Sequence, residues 1–488
     1  MDVVPVPLTD QLKPAHNIRT RTFFVVEECL DKNIMRTTLD CLIRDHWRKL
    51  GGRLVTRRND GLLEYQIPKS FEKDHLLFNW SVQEYDHSVD KVASAIRSPA
   101  QDSGPQFLPS MTTVDSWFRP SDWPYHRTDE PPNAPFLYIH LSLFTDASVV
   151  CLSIPHVVAD QFGLASIMKA WLGLMEGKAP PPFAGYERDL LPGSSKAYED
   201  YSENETFRKG RERIFRTGEY LLVLLPFIPD LVLNSKEESH ILFFPLPLIR
   251  SLRERCSQTL KEQHADFSRV SDGDIISATL AKLSRMNKKT PRMVALSAAV
   301  NLRGLIPELD ADRREGFIHN SIISATARVQ MQPSTPVSEV AYAHRRAIEE
   351  AMEARDIEIC MAVIREKVRR GQGNHTCEPF ERSYHTTNWC AAWRDLDFGP
   401  AIIGENKNEN GRPKFLVLGQ SGERGTPLRC ELFVFATSMA VRATKFCVVS
   451  SMILSRNEEG YWVQFSASRP CMKQIKEYLA KDPNLEKF

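Results

Sequence analysis

The strongest constraint on what this chain can fold into lies between Pro135 and Met175. Two β-rich runs, PFLYIHLSLF and SVVCLSIPH, flank the polar TDA, which predicts two strands joined as a hairpin. Pro155 biases Ile154 towards an extended backbone, so the second strand runs up to His156. Beyond it Leu164, Ile167, Met168, Trp171, Leu172 and Met175 recur on one helical face, and the periodicity ends near Gly177. A strand, a short loop and an amphipathic helix must follow one another here. His156 stands at the strand's end and Asp160 at the helix's start.

The positions of these two polar residues suggest different chemistry. A histidine at a rigid strand end has the near-neutral titration and fixed placement that a general base needs. An aspartate at a helix N-terminus accepts backbone N–H bonds at the positive end of the dipole; both effects favour its charged form and make it a poor proton acceptor. From the residues alone the pair reads more readily as a hydrogen-bonded core histidine beside an ordinary cap than as a base beside a structural cap.

Elsewhere, Met35, Leu39, Leu42, Ile43, Trp47 and Leu50 predict one amphipathic helix ending at Gly51 and Gly52, with a strand after it. Residues Tyr186 to Arg213 are polar and poor in periodic apolar positions, and form the best interdomain linker candidate. HILFFPLPLIRSLRERC then reads as strand followed by helix, Ser271 or Asp272 caps another helix, and MVALSAAVNLRG is a buried strand leading into Arg303. The last third alternates β-rich runs (KFLVLG, ELFVFAT, KFCVVSSMIL, YWVQFSA) with turns before the closing helix MKQIKEYLAK. The longest apolar run, Tyr220 to Leu233, is interrupted by Pro226, Pro229 and Asp230, falls short of the roughly 20 residues a spanning helix needs, and is expected to pack on the protein's own surface.

Whole-chain properties exclude several classes. At 488 residues, 42% hydrophobic and 26% charged, the chain can bury a large core and is long enough for two or three domains. A net charge of +1 gives no basic field for nucleic acid or a membrane surface. The ten cysteines are spread singly, without CxxC pairs, so neither a metal site nor a disulfide framework is expected, and reduced thiols in a cytoplasmic protein fit best. The N-terminus lacks the charged start and apolar core of a signal peptide.

Several separated stretches together resemble the BAHD family of CoA-dependent acyltransferases, in the fungal branch that includes the trichothecene O-acetyltransferases. The HxxxD part of the family's HxxxDG motif matches His156 and Asp160. VNLRGLIPELDADRREGFIHN is similar to its NxRxxxxP stretch, through Asn301, Arg303, Pro307, Gly316 and Asn320. TTNWCAAWRDLDFGP resembles its T-x-W and DFGWG patterns through Thr387, Trp389, Asp397, Phe398 and Gly399. The early PLTDQ and GGRLV also match, and the pieces follow the family's order. Two positions depart from it: Gln161 replaces a glycine, which is expected to narrow the acceptor side near His156, and Pro400-Ala401 replaces the end of DFGWG.

The resemblance implies an α/β (α+β) fold of two pseudo-symmetric chloramphenicol-acetyltransferase-like domains with a channel between them. The domains are expected at 1–185 and 236–488, with 186–235 crossing between. It implies acyl transfer, most readily acetyl transfer, from acyl-CoA as co-substrate to a hydroxyl of a hydrophobic secondary metabolite (terpenoid, polyketide or alkaloid). No permanently bound cofactor or metal, no nucleic-acid partner and no stable membrane insertion is expected, and the protein should be a monomer. His156 would take the hydroxyl proton, and Trp389, then Thr387 or Asn388, would supply hydrogen bonds to the oxyanion. Asp160, Arg303, Asp397 and Gly399 would be structural, Arg303 being the cation available to the interior aspartates; Gly399 and Gly163 would serve turns. Lys282, Arg285, Lys288, Lys289 and Arg292 could meet the CoA phosphates. Two rivals stand beside this reading. One is an amide-forming condensation enzyme, against which Pro155 occupies the place of that family's second histidine. The other is a catalytically inactive binding protein on the same fold.

Overall fold

The computed structural model describes residues 1–97, 99, 104–208, 210–227, 237–311, 313–374, 376–403, 413–421 and 449–488. The first half runs through β1 (Asp2–Pro5), β2 (Arg19–Val26), a helix at Lys32–Cys41, β3 (Arg53–Thr56), β4 (Leu63–Ile67), β5 (Phe78–Glu84) and β6 (Gln106–Leu108). After β7 (Leu137–Leu143) and β8 (Ser148–Pro155) comes the helix Gln161–Met175. The second half begins with β9 (Glu237–Pro245) and the helices Leu246–Gln263 and Asp272–Leu283. There follow β10 (Arg292–Asn301), β11 (Ile322–Met331), the helices Val337–Ala351 and Ala354–Arg369, β12 (Arg382–Asn388), β13 (Phe415–Ser421), β14 (Val449–Arg456), β15 (Gly460–Ser468) and the helix Arg469–Lys481.

The expected hairpin is present: β7 and β8 pair antiparallel, with Leu143 opposite Ser148, and the expected helix starts straight after the His156 loop. Ser271, rather than Asp272, caps its helix, accepting from Asp274 N–H. The run ELFVFAT lies outside the described residues.

Two large sheets carry the fold, with strand orders β13-β2-β8-β7-β5 and β11-β10-β12-β14-β15-β9-β6; a small sheet, β1-β4-β3, stands beside them. Each half lends the other an edge strand. β13 comes from the second half yet pairs with β2, Gly419 facing Thr22, while β6 from the first half pairs with β9. No single cut in the chain separates the two sheets. The apolar core on the five-stranded sheet combines Phe24 and Trp171 with Trp393 and Phe398 from the second half; another core, with Ile276, Leu296 and Val463, lies on the seven-stranded sheet.

In two regions tertiary contacts override the local pattern. The stripe from Met35 to Leu50 is not one α-helix: after Cys41 the chain widens into a π-turn at Leu42–His46 and tightens into a 3-10 turn at Arg48–Gly51. This change of pitch still buries Met35, Leu39, Leu42, Ile43, Trp47 and Leu50, and it also turns Lys49 inward. The charged segment after Tyr186 is strapped to the second half. Arg365 holds Asp189 at 2.9 Å and the carbonyl of Pro192 at 2.8 Å, Lys367 pairs with Glu212, and Gln372 exchanges two hydrogen bonds of 3.0 Å with the backbone of Phe215. Its charges are partners for residues about 150 positions downstream, which a local reading misses. Of the apolar run after Tyr220, Val223 enters the core while Leu221, Leu222 and Leu225 are exposed; residues 228–233 lie outside the described residues. Among the described residues no helix is long and apolar enough to cross a membrane.

The Lys367–Glu212 pair is almost fully enclosed, its side chains 0% and 2% exposed. Glu212→Gln removes one charge and leaves the ammonium buried, so the variant should lose about 3 kcal/mol of stability, read by chemical denaturation.

Candidate active site

The backbone of His156 is held from both sides. Its N–H donates to the carbonyl of Ile18 at 2.8 Å, and its own carbonyl accepts from Asn320 Nδ2 at 2.9 Å. The side chain is half-buried, and Nδ1 finds no hydrogen-bond partner among the described residues. The ring's orientation therefore depends on where the loop places the backbone.

Asp160 faces away from that role. Its Oδ1 accepts the N–H of Gly163 at 2.7 Å, capping the helix Gln161–Met175. Oδ2 accepts from the Ser321 N–H at 3.0 Å and from Arg303 Nη1 at 2.9 Å. Arg303 also donates to Asn301 Oδ1 (3.1 Å) and to the carbonyls of Phe317 (3.3 Å) and His319 (2.7 Å). Both side chains are about 5% exposed or less. A buried pair so completely hydrogen-bonded is tolerated where a bare charge would not be.

The glycines of this region mark close crossings. A Cβ on Gly163 would lie 1.9 Å from the carbonyl oxygen of Ile318, and one on Gly316 would lie 1.9 Å from that of Pro182. Gly163 is thus not a turn residue, as expected from sequence; it sits in the first turn of the helix because the 317–321 backbone passes against it. Gly399 does occupy a turn, donating to Asp397 Oδ1 at 2.9 Å. Phe398 beside it is fully buried against Phe24 and Phe415.

The T-x-W stretch closes β12. Thr386 is buried with its hydroxyl 3.0 Å from Ser277, so Thr387, one position on, faces the opposite side of the strand. Asn388 is exposed, its Oδ1 accepting from the Cys390 N–H at 3.0 Å and its Nδ2 lying 2.9 Å from where a Cβ on Gly273 would stand. Trp389 is buried, with the benzo edge of its indole over Gly419 of β13, where a Cβ would come within 2.4 Å of the ring. The indole N–H is on the ring's other side. Gly419 pairs with Thr22, whose hydroxyl lies 3.4 Å from the amide oxygen of Gln161. Trp389 and the unusual Gln161 are therefore separated by one strand.

The basic group lies elsewhere. Lys282 is in the last turn of the helix Asp272–Leu283, whose first turn meets Asn388, so the two are roughly 15 Å apart at 1.5 Å per residue. Its Nζ donates to the carbonyl of Phe488 at 2.8 Å and sits over that ring, and burial lowers its pKa. Arg285 and Lys288 are half-buried; Lys289 and Arg292 are exposed. Sequence reasoning gave no role to Asp10, Lys49 or His319, which lie buried behind Asn320. Among the described residues no cluster of side chains could hold a metal ion.

No family model matches the chain. It is 25% identical over 414 residues to the acetyltransferase adrJ of Penicillium rubens, covering 80% of this chain and 82% of that one. To the acetyltransferase pyiB of Pyricularia grisea it is 24% identical, covering 86% of each. A protein named transcriptional regulator calD, from Penicillium decumbens, is 24% identical and covers 99% of this chain and 96% of its own. Among solved structures, TRI101 of F. sporotrichioides, complexed with coenzyme A and T-2, is similar with a TM-score of 0.63 at 14% identity, covering 98% of this chain and 97% of its own. Vinorine synthase follows the same fold with a TM-score of 0.55 at 14% identity, covering 99% and 94%. The chain thus shares the fold of TRI101 and vinorine synthase, and its sequence is similar to fungal acetyltransferases.

Asp160→Asn keeps a cap acceptor but turns an N–H₂ towards the N–H of Ser321 and the guanidinium of Arg303. It should cost about 2–4 kcal/mol in thermal or chemical unfolding while the folded fraction keeps measurable turnover. Gly163→Ala, which collides with backbone, should lower the melting temperature at least as much.

Proposed function

We propose that the protein transfers an acyl group, acetyl first of all, from acyl-CoA to a hydroxyl of a hydrophobic secondary metabolite, with His156 as the general base. The single observation that carries the assignment of the base is the division of hydrogen bonds: both oxygens of Asp160 are engaged by Gly163, Ser321 and Arg303, while the imidazole of His156 is committed to no protein partner among the described residues. CoA bound in TRI101 and the acetyltransferase names of adrJ and pyiB support the donor.

In this reading an acceptor hydroxyl donates to the imidazole, and its oxygen attacks the thioester carbonyl as the proton passes to His156. The tetrahedral oxyanion takes hydrogen bonds from the Trp389 indole N–H, or from the Thr387 hydroxyl or Asn388 amide. Collapse expels the CoA thiolate, which recovers the proton from His156. Both substrates meet in one ternary complex, so proximity supplies acceleration and no acyl-enzyme forms. Lys282, Arg285, Lys288 and Lys289 remain the basic group offered to the CoA phosphates, with Lys282 first having to leave the carbonyl of Phe488. The protein works as a cytoplasmic monomer in this proposal. A binding or regulatory role on the same fold is the second reading, favoured by the near-complete overlap with calD.

Release of free thiol from acetyl-CoA, measured with a panel of hydroxylated terpenoids, polyketides and alkaloids, separates the two. Transfer should appear with at least one acceptor, and His156→Ala should lower kcat/KM by about a thousandfold. Trp389→Phe should lower kcat by about tenfold or more with KM little changed. An acylation rate untouched by His156→Ala would overturn the assignment of the base.

A further inference from the structure

Behind the His156 loop lies a line of buried ionisable groups that acyl transfer does not use. Asp10, in the turn Leu8–Gln11, Lys49, in the turn Arg48–Gly51, and His319 are each 2% exposed or less. Lys49 Nζ is 3.0 Å from His319 Nε2, and it also donates to the carbonyls of Gly185 (3.2 Å) and Tyr186 (3.0 Å). On its other side His319 Nδ1 is 3.0 Å from Asp10 Oδ2. Asp10 Oδ1 then accepts the backbone N–H of Asn320 at 3.0 Å, and the side chain of Asn320 donates to the carbonyl of His156 at 2.9 Å. The line from Lys49 to His156 is unbroken.

Burial raises the pKa of Asp10 and lowers that of Lys49 to about 7, so neither charge would be stable there alone. The line accommodates either outcome. With Lys49 as ammonium, its three N–H groups meet three acceptors, His319 carries its proton on Nδ1, and Asp10 is a carboxylate. With the proton moved through the imidazole, Lys49 is an amine, His319 carries its proton on Nε2, and Asp10 is a carboxylic acid. The proton count is the same, every bond in the line is retained, and Asp10 Oδ1 accepts from Asn320 in both. Titratable and charged neighbours are Tyr65, whose ring centre is 4.5 Å from Lys49 Nζ, with Tyr186, Asp189 and Arg303. The hydroxyl of Tyr65 reaches the same loop, donating to the carbonyl of Val157 at 3.4 Å.

We infer that Asp10, backed by His319 and Lys49, is a positioning residue for His156. Two consecutive peptide groups are fixed side by side: the His319–Asn320 peptide by Arg303 on its carbonyl and Asp10 on its N–H, and the Asn320–Ser321 peptide by Asp160 on its N–H. Asn320, which lies between these two peptides, passes the constraint to His156 through its side chain. Asn320 Oδ1 has no partner among the described residues, so the aim of its amide depends on the backbone that Asp10 holds. His156 Nδ1 likewise has no partner among the described residues, and the imidazole inherits its place from the backbone. Asp10 touches no substrate and acts through Asn320.

The inference rests on His156 being the base, and its test has one arm with substrate and one without. Asp10→Ala and Asn320→Ala should each lower kcat for acetyl transfer about tenfold with KM for acetyl-CoA within about twofold, and the double variant should fall no further, because both break one line. Asp10→Asn, which can accept from Asn320 and donate to His319, should keep kcat within about threefold of the wild type. Without substrate, the rate at which diethyl pyrocarbonate carbethoxylates His156, read by mass spectrometry of its peptide, should change at least about threefold in the two alanine variants and not in Asp10→Asn. Asn320→Ala leaves every buried charge paired and carries the test if Asp10→Ala does not fold. Absence of acyl transfer in the wild type would defeat the proposed function while leaving the carbethoxylation arm intact. Folded alanine variants with unchanged His156 reactivity, or losses of kcat that multiply in the double variant, would overturn the role of Asp10.

Discussion

The buried ion pair between Asp160 and Arg303 is the contact on which the rest of the site depends. It joins the start of one helix to a strip of backbone more than a hundred residues away, and it does so where neither side chain can fall back on water. Such a pair is stable only when the remaining donors and acceptors are also met, and here the carbonyls of Phe317 and His319 and the N–H groups of Gly163 and Ser321 complete it. Because the cap and the strip are one unit, the short loop before the cap has little freedom. His156 lies in that loop, so the ion pair shapes the surroundings of the imidazole without touching it.

The exchange of edge strands serves the same end. β13 delivers Gly419 to the first sheet, and the absent side chain there admits the indole of Trp389 against the strand that bears Thr22. A residue that terminates a strand of one sheet is thereby seated on the other. Glycine is required by proximity at this position, and likewise at Gly163 and Gly316, where backbone crosses backbone. Gln161 is buried and faces Thr22 within this same region, which places a departure from the HxxxDG motif that the sequence resembles close to the oxyanion-donor candidate.

Much of the local structure was legible. Alternation of β-rich runs located the hairpin, apolar spacing located the helix after it, and the order of separated motifs located Arg303 and Trp389. What escaped were features made by partners distant in sequence. The stripe at Met35–Leu50 reads as one helix because its spacing is helical, yet packing of Trp47 and Lys49 changes its pitch. The segment after Tyr186 reads as a solvated linker because its charges have no local partners; Arg365, Lys367 and Gln372 supply them. Lys282 reads as a cation open to the CoA phosphates, and only the fold shows Phe488 over it.

The sequence by itself determined that a strand ends at His156 and a helix begins at Asp160, since backbone preference and apolar periodicity act within a few residues. It also determined which residue types were available for proton transfer and for capping. Tertiary structure alone decided what each of them touches, because a carboxylate is free or engaged according to what occupies its oxygens. Asp160 is an anchor by virtue of Arg303 and Ser321, and Asp10, Lys49 and His319 form a line only because two distant turns converge on the strip that carries His319 and Asn320. Hydrogen bonds reach about 3 Å, and no spacing along the chain encodes which groups folding will bring within that distance.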